Sequence, residues 1–339
     1  MRRVMVLGGT GFFGRAAVGL LRAAGIPALA AARRSAELAL DAEDPASLRR
    51  ALRPGDVVLD AAGPYQARTP ALAEAAIELG CDVVDIADAS AYVRSVLALG
   101  DRAAEAGVRL LPGCSTCSAV SSAMVAWSGL PHPVRLTAFL VPTSRFTAVA
   151  ATAASLLAGL GRPIPVLRDG AVRQLRGFTE SRRWPAGAPL GARRGWIFDT
   201  PDGDLLPLSH PTIATAEAFV DPNVPGLAGA LALAARVPPL RAAMTRTMPA
   251  ALPLVRLLGR EHGGFGCEVE DASGAVVRLV LTAPRDAYRL AAIPAVLAVR
   301  TILEGRMSGA GVIPPHGQVD AGELLETLRA SGFELSRSS

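Results

Sequence analysis

The chain has no lysine: all 35 of its Lys-plus-Arg residues are arginine. That excludes Schiff-base chemistry on a lysine and any Tyr-x-x-x-Lys proton-transfer pair. Aromatics are also scarce, at 4% of residues, and the arginines are scattered in pairs without aromatic interleaving. The net charge of +5 therefore does not read as a nucleic-acid surface. Four cysteines (Cys81, Cys114, Cys117, Cys267) make no disulfide framework. No second pair at metal-ligand spacing accompanies Cys114 and Cys117, so no metal site is expected. No apolar run reaches the roughly 18 residues of a membrane-spanning helix. Arg2 and Arg3 precede an apolar segment too short for a signal peptide, so a cytoplasmic protein is expected.

What the chain has in quantity is small apolar residues in alternating blocks. Apolar runs at 3–7, 28–32, 56–61, 82–87 and 108–111 are bounded by Gly, Pro or Asp. Between them lie helical patterns at 69–80 and 92–107 that end on glycine. Strands alternating with helices predict an α/β fold with a doubly wound parallel sheet. The rhythm changes near Ser118. A strand is predicted at 134–142, a small-residue helix at 147–161, long loops over 177–211, two helices split by Pro238-Pro239, and a β-hairpin at 266–283. Helical patterns return at 286–305 and 321–332. With 339 residues the chain has length for two domains. The expected division is a nucleotide domain at 1–117, an inserted α+β domain with a mixed sheet at 118–285, and a C-terminal segment at 286–339.

Four glycines within seven residues, Gly8, Gly9, Gly11 and Gly14, separate the first strand from the first helix. A dinucleotide pyrophosphate needs backbone N–H groups and a helix N-terminus brought close, and a side chain at the turn would hold it away. Gly8 suits the tight turn, Gly11 the phosphate approach and Gly14 the packing of helix on strand. With Gly9, Thr10, Phe12 and Phe13 they form the predicted pyrophosphate turn of a Rossmann-like domain.

The second strand ends in Arg33 and Arg34, where an NAD site usually carries an acid for the ribose 2′-hydroxyl. Guanidinium suits the 2′-phosphate of NADP; the other reading is two solvated arginines. Asp41 is placed to receive the adenine amino group or to lie on the surface. Ala62, Gly63 and Pro64 follow the strand at 56–61 and leave room for the nicotinamide ribose. Tyr65 and Gln66 come next, the former a proton donor or a core tyrosine, the latter a substrate contact.

These segments resemble the saccharopine dehydrogenase-like superfamily of NAD(P)-dependent reductases. The resemblance runs through "GGTGFFGR", "DVVLDAAGPYQ", "AIELGCDVVDIAD" and "AGVRLLPGCSTCSAVSSAMV". It continues, in the pattern of a bacterial branch of poorly defined substrate, through "IFDTPDGDLLP", "HGGFGCEVED" and "LEGRMSGAGVIPPHG". It implies a middle domain that forms a homodimer and the substrate cleft, and a C-terminal segment that packs back on the first domain. Members acting on saccharopine-like amino acids are expected to use lysine or histidine near the nicotinamide. This chain lacks lysine, and His132, His210, His262 and His316 all fall outside the nucleotide core.

Hydride transfer usually needs one proton donor, and Tyr65 and Asp88 are the candidates. Asp85 and Asp88 also suit loop capping. The Cys114–Cys117 pair is either a redox pair or a set of small residues lining the cleft, with Cys114 at the substrate. Arg145 suits an anionic substrate group or the surface, and His262 a pocket or a surface turn. Two functions remain open. One is an NADPH-dependent oxidoreductase that reduces a C=O, C=N or C=C bond of a small, hydrophobic metabolite. The other is a non-catalytic NADP-sensing protein.

Overall fold

The computed structural model describes residues 2–338. They divide into two compact units: the residues up to Val120 with Arg289–Leu324, and Ser121–Tyr288 with the described residues from Leu325 onward.

The chain begins β1 (Val4–Leu7), α1 (Phe12–Ala23), β2 (Ala28–Ala32), β3 (Leu38–Ala39) and α2 (Pro45–Ala51). It continues through β4 (Val57–Asp60), α3 (Ala71–Leu79), β5 (Asp82–Asp85), α4 (Ser90–Leu97), α5 (Gly100–Glu105), β6 (Arg109–Leu111) and α6 (Ala119–Ser128). The middle holds β7 (Pro133–Val141), α7 (Ser144–Thr147), α8 (Ala150–Ala158), β8 (Pro163–Arg168), β9 (Ala171–Arg176), β10 (Ser181–Pro185) and β11 (Ala192–Ile197). Then come α9 (Asp202–Ser209), β12 (Thr215–Val220), α10 (Leu227–Arg236), α11 (Pro238–Leu258), β13 (His262–Asp271) and β14 (Val276–Pro284). The chain closes with α12 (Ile293–Leu303), β15 (Gly311–Val312), α13 (Pro315–Gln318), α14 (Ala321–Ala330) and β16 (Glu334–Ser338).

In the first unit a seven-stranded sheet has the order β15-β6-β5-β4-β1-β2-β3, and every pairing is parallel. Strands β1, β4 and β5 are buried along their whole length, as a sheet covered on both faces requires. The strand order reverses between β1 and β4, and ligands bind outside the carboxyl ends of the strands at such a point. The opposite end of the sheet is tied by charge. Asp82 accepts from Arg2 at 2.7 Å and from the Arg109 backbone N–H at 2.8 Å, and Arg3 Nε donates to Asp56 at 3.0 Å.

The second unit is built on a nine-stranded mixed sheet, β10-β11-β12-β7-β13-β14-β16, with β8 paired to β12 and β9. Trp184 stacks on Phe139 at 4.9 Å between ring centroids. A Cβ on Gly266 would run into that Trp184 ring, so the core is shaped around a missing side chain.

Three expectations are corrected. Residues 177–211 are not long loops but contain β10, β11 and α9; the paired arginines Arg182–Arg183 and Arg193–Arg194, of which Arg183 and Arg194 are exposed, mask an alternation that buries only Trp184 and a few neighbours. The 286–305 pattern opens as a 3-10 turn at Asp286–Ala291 and becomes α-helical at Ile293. The C-terminal segment does not all return to the first unit: from Leu325 it belongs to the second, where β16 pairs antiparallel with β14. Its exposed, polar alternation gives little hydrophobic signal for a strand.

Candidate cofactor and active site

The glycine turn is shaped by backbone approach. Gly8 has φ +74°, and a Cβ there would lie 2.7 Å from the Ala61 carbonyl oxygen at the end of β4. A Cβ on Gly9 would lie 2.7 Å from the Val6 carbonyl oxygen, and one on Gly14 would strike the Gly8 carbonyl oxygen. Gly11 differs: it is exposed, and the only atom near its absent Cβ is the Gly8 oxygen at 3.0 Å. As N-cap of α1 it offers no side-chain cap, so the first-turn N–H groups lack the usual partner. This is a cradle for an anion at a helix N-terminus. Thr10 is half-buried, with its carbonyl bound by Arg15 at 2.7 Å. Phe12 and Phe13 meet edge to face at 5.2 Å.

Arg33 and Arg34 follow β2 directly, both exposed. Neither has a hydrogen bond or ion pair among the described residues, whereas nearby Arg22 is paired to Glu37 at 2.8 Å. Asp41 Oδ1 accepts the Glu43 N–H at 3.0 Å, a turn of its own beyond β3.

The loop after β4 is organised by a residue the sequence reading passed over, Arg68. Asp60, fully buried at the end of β4, accepts the Ala62 N–H at 2.9 Å and Arg68 Nη2 at 3.1 Å. Arg68 also donates to the Ala62 carbonyl at 2.7 Å and pairs with Glu43, which in turn holds Thr69. Its guanidinium lies 5.8 Å from the Tyr65 ring centroid and 5.9 Å from that of Tyr92, in cation–π range. Burial pushes the Asp60 carboxyl up, while Arg68 and the Ala62 N–H hold it down. Burial works against the Arg68 charge, and Asp60, the two tyrosines and Glu43 more than restore it. A clue was present: Asp60 ends an apolar strand, and a buried carboxylate demands a partner.

Tyr65 is buried, and its hydroxyl donates to the Asp60 carbonyl at 2.7 Å. Burial, with Asp60 and Asp85 nearby, pushes its phenol well above the ordinary value. The hydroxyl is thus spent on the backbone it anchors, which differs from the expectation of a proton donor facing the nicotinamide. Gln66 and Asp88, by contrast, come together: the amide donates to the carboxylate at 3.2 Å, and Asp88 is half-buried beyond the end of β5. Ala62 and Pro64 are half-buried and Gly63 is exposed, with a cis peptide between Gly63 and Pro64.

Asp85 repeats the Asp60 design one strand over. It accepts the Ala87 N–H at 3.0 Å and the Gly113 N–H at 2.8 Å, tying β5 to the loop after β6. Burial raises its carboxyl to about 7, against the pull of those two N–H donors. A carboxyl raised in the folded state favours folding while protonated, so stability falls as pH climbs from the unfolded value near 4 toward 7. The expected slope from this group is about 1 kcal/mol per pH unit. Asp85→Asn keeps the acceptor oxygen and should flatten that slope in urea unfolding between pH 5 and 7. An identical slope in wild type and variant would contradict the assignment.

Cys114 and Cys117 are buried and form no disulfide, and burial, with Asp85 nearby, pushes the Cys114 thiol well up. That is the opposite of the lowered value a reactive thiolate needs. Cys114 forms a β-bridge with Ser118, which has φ +93°. Arg145 lies in the second unit, paired to Glu261 at 2.8 Å on the surface. His262 begins β13 and is exposed. His210, also in the second unit, has Nε2 2.9 Å from Ser122 Oγ, a pairing no sequence signal indicated. Among the described residues no group of three or more His, Cys, Asp or Glu is placed to hold a metal ion, and no helix is long and apolar enough to cross a membrane.

A doubly wound sheet whose first helix opens on an uncapped glycine turn defines a dinucleotide-binding domain. Residues 4–111 match the saccharopine dehydrogenase NADP-binding domain. The apo saccharopine dehydrogenase (L-Glu forming) of Saccharomyces cerevisiae shares the fold with a TM-score of 0.63 at 14% identity, over 100% of this chain and 99% of that one. A meso-dapdh mutant of Clostridium tetani, solved with DAP, gives a TM-score of 0.45 at 11% identity, over 96% and 99% of the two chains. No curated protein sequence matches this chain. Residues 4–111 are thus a saccharopine dehydrogenase-type NADP-binding domain, and the chain as a whole has the fold of that yeast enzyme.

Proposed function

We propose that the protein is an NADPH-dependent reductase acting on a C=O, C=N or C=C bond of a small, apolar metabolite. The observation that carries the cofactor's form is the pair of exposed, unpaired guanidinium groups of Arg33 and Arg34 just after β2. A 2′-phosphate beside the adenosine ribose is the partner they lack. Bound in the glycine cradle, NADPH supplies a hydride. The chain's own part is to hold the pyrophosphate on the α1 amides, keep the loop 61–69 fixed through Arg68, and handle one proton.

Asp88 is the group proposed for that proton, steadied by Gln66. Asp88→Asn should remove one ionisation from the pH profile of kcat, and an unchanged profile would return Asp88 to a capping role. The absence of lysine argues for a substrate other than one held as a Schiff base. The proposal extends to a homodimer in the cytoplasm, read by sedimentation and by cell fractionation.

The cofactor assignment is tested by Arg33→Ala. A charge-assisted contact to phosphate is worth about 1.5–3 kcal/mol, so NADPH affinity should fall roughly tenfold to a hundredfold. NADH, without the 2′-phosphate, should bind as before. Equal losses for both cofactors would show Arg33 to be surface charge only.

A further inference from the structure

The last acid before α10 is Asp221 and the next is Glu261, so residues 222–260 contain none. They do contain five arginines: Arg236, Arg241, Arg246, Arg256 and Arg260. That equals the net charge of the whole chain, because the other 30 arginines are matched by 30 Asp plus Glu. Among the described residues none of these five makes an ion pair.

The same segment exposes an apolar face. Of the 21 residues of α11 only Met248 is buried, with Leu240, Met244 and Val255 packed partly on the core. Leu257 lies nine residues from Met248, about two and a half turns along, which puts it on the opposite side of the helix. It is 69% exposed, and Leu254 and Leu258 beside it are 56% and 49% exposed. Leu233 and Val237 of the preceding helix and turn are exposed as well. Five of the eight large exposed apolar side chains among the described residues therefore sit on one acid-free helical pair. Met248, with the partly packed Leu240, Met244 and Val255, turns one side of α11 to the core while Leu254, Leu257 and Leu258 stand bare. Arg236, Arg241 and Arg256 donate to backbone carbonyls, Arg246 and Arg260 are exposed, and among the described residues none of the five charges meets an acid, a pattern of the interfacial amphipathic kind.

We infer that α10 and α11 dock on an anionic lipid surface, with the leucines in the headgroup boundary and the arginines at the lipid phosphates. Charge complementarity selects this occupant. A second copy docking face to face would bring the same acid-free surface against itself and set arginine against arginine. An anionic bilayer meets both the apolar and the cationic demand. It also gives a reductase of apolar metabolites access to substrates that partition into lipid.

The test uses the full chain and phosphatidylcholine vesicles with and without phosphatidylglycerol. Wild type should co-sediment with the mixed vesicles, less so at high salt, and little with phosphatidylcholine alone. Leu254→Ser/Leu257→Ser changes only exposed positions and should lower partitioning by roughly tenfold or more. A wild type that ignores both kinds of vesicle overturns the inference, as does undiminished binding by the double variant. A vesicle-independent dimer that the double variant dissolves overturns it too, because the occupant is then a second copy.

Discussion

Gly11→Val is expected to abolish NADPH binding while the protein still folds. The absent Cβ of Gly11 meets one atom, the Gly8 carbonyl oxygen at 3.0 Å, and φ of −76° is one any residue adopts. Valine therefore fits the free protein once that carbonyl gives by a few tenths of an ångström. It fills the space through which a pyrophosphate reaches the α1 amides. Losing two charge-assisted contacts at about 1.5–3 kcal/mol each lowers affinity by roughly a hundredfold or more. Gly14→Val is the control: its side chain would meet the Gly8 carbonyl in the packed turn, so that variant should fail to fold. Calorimetry on folded Gly11→Val reads the outcome, and wild-type affinity for NADPH would remove the turn from the cofactor site.

Arg68→Ala should cost about 3–5 kcal/mol of stability, the usual result of stripping one partner from a buried ion pair. Arg68 is 7% exposed in its side chain and Asp60 is fully buried, so solvent offers little relief. The variant also frees the Ala62 carbonyl and removes the Arg68–Glu43 pair. Adding Asp60→Asn removes the stranded charge and should recover much of the loss, a coupling that a double-mutant cycle measures. A cost below about 1 kcal/mol for Arg68→Ala would mean the loop is held by packing alone.

The glycine turn and the alternating apolar runs were legible because local chemistry dictates them. A run such as Val4–Leu7 is buried on both faces only in a parallel sheet, and four glycines after it serve no ordinary loop. Arg68 was not legible, because its partners Asp60, Glu43 and Tyr92 come together only when β4, α4 and the loop after β3 are assembled. For Tyr65 the sequence left two places open, proton donor or core tyrosine, and only the assembled turn at Tyr65–Ala67 lays its hydroxyl on the Asp60 carbonyl. The strands β10 and β11 were hidden by paired arginines, whose long side chains suit either a loop or the open face of a sheet.

Calorimetric titration of the wild-type chain with NADPH and with NADH measures the central binding preference directly. On the proposed reading the glycine cradle serves both cofactors, and the two unpaired arginines serve only the one with a 2′-phosphate. NADPH should therefore bind tighter than NADH by roughly tenfold or more. Equal affinities, or a preference for NADH, would contradict the account.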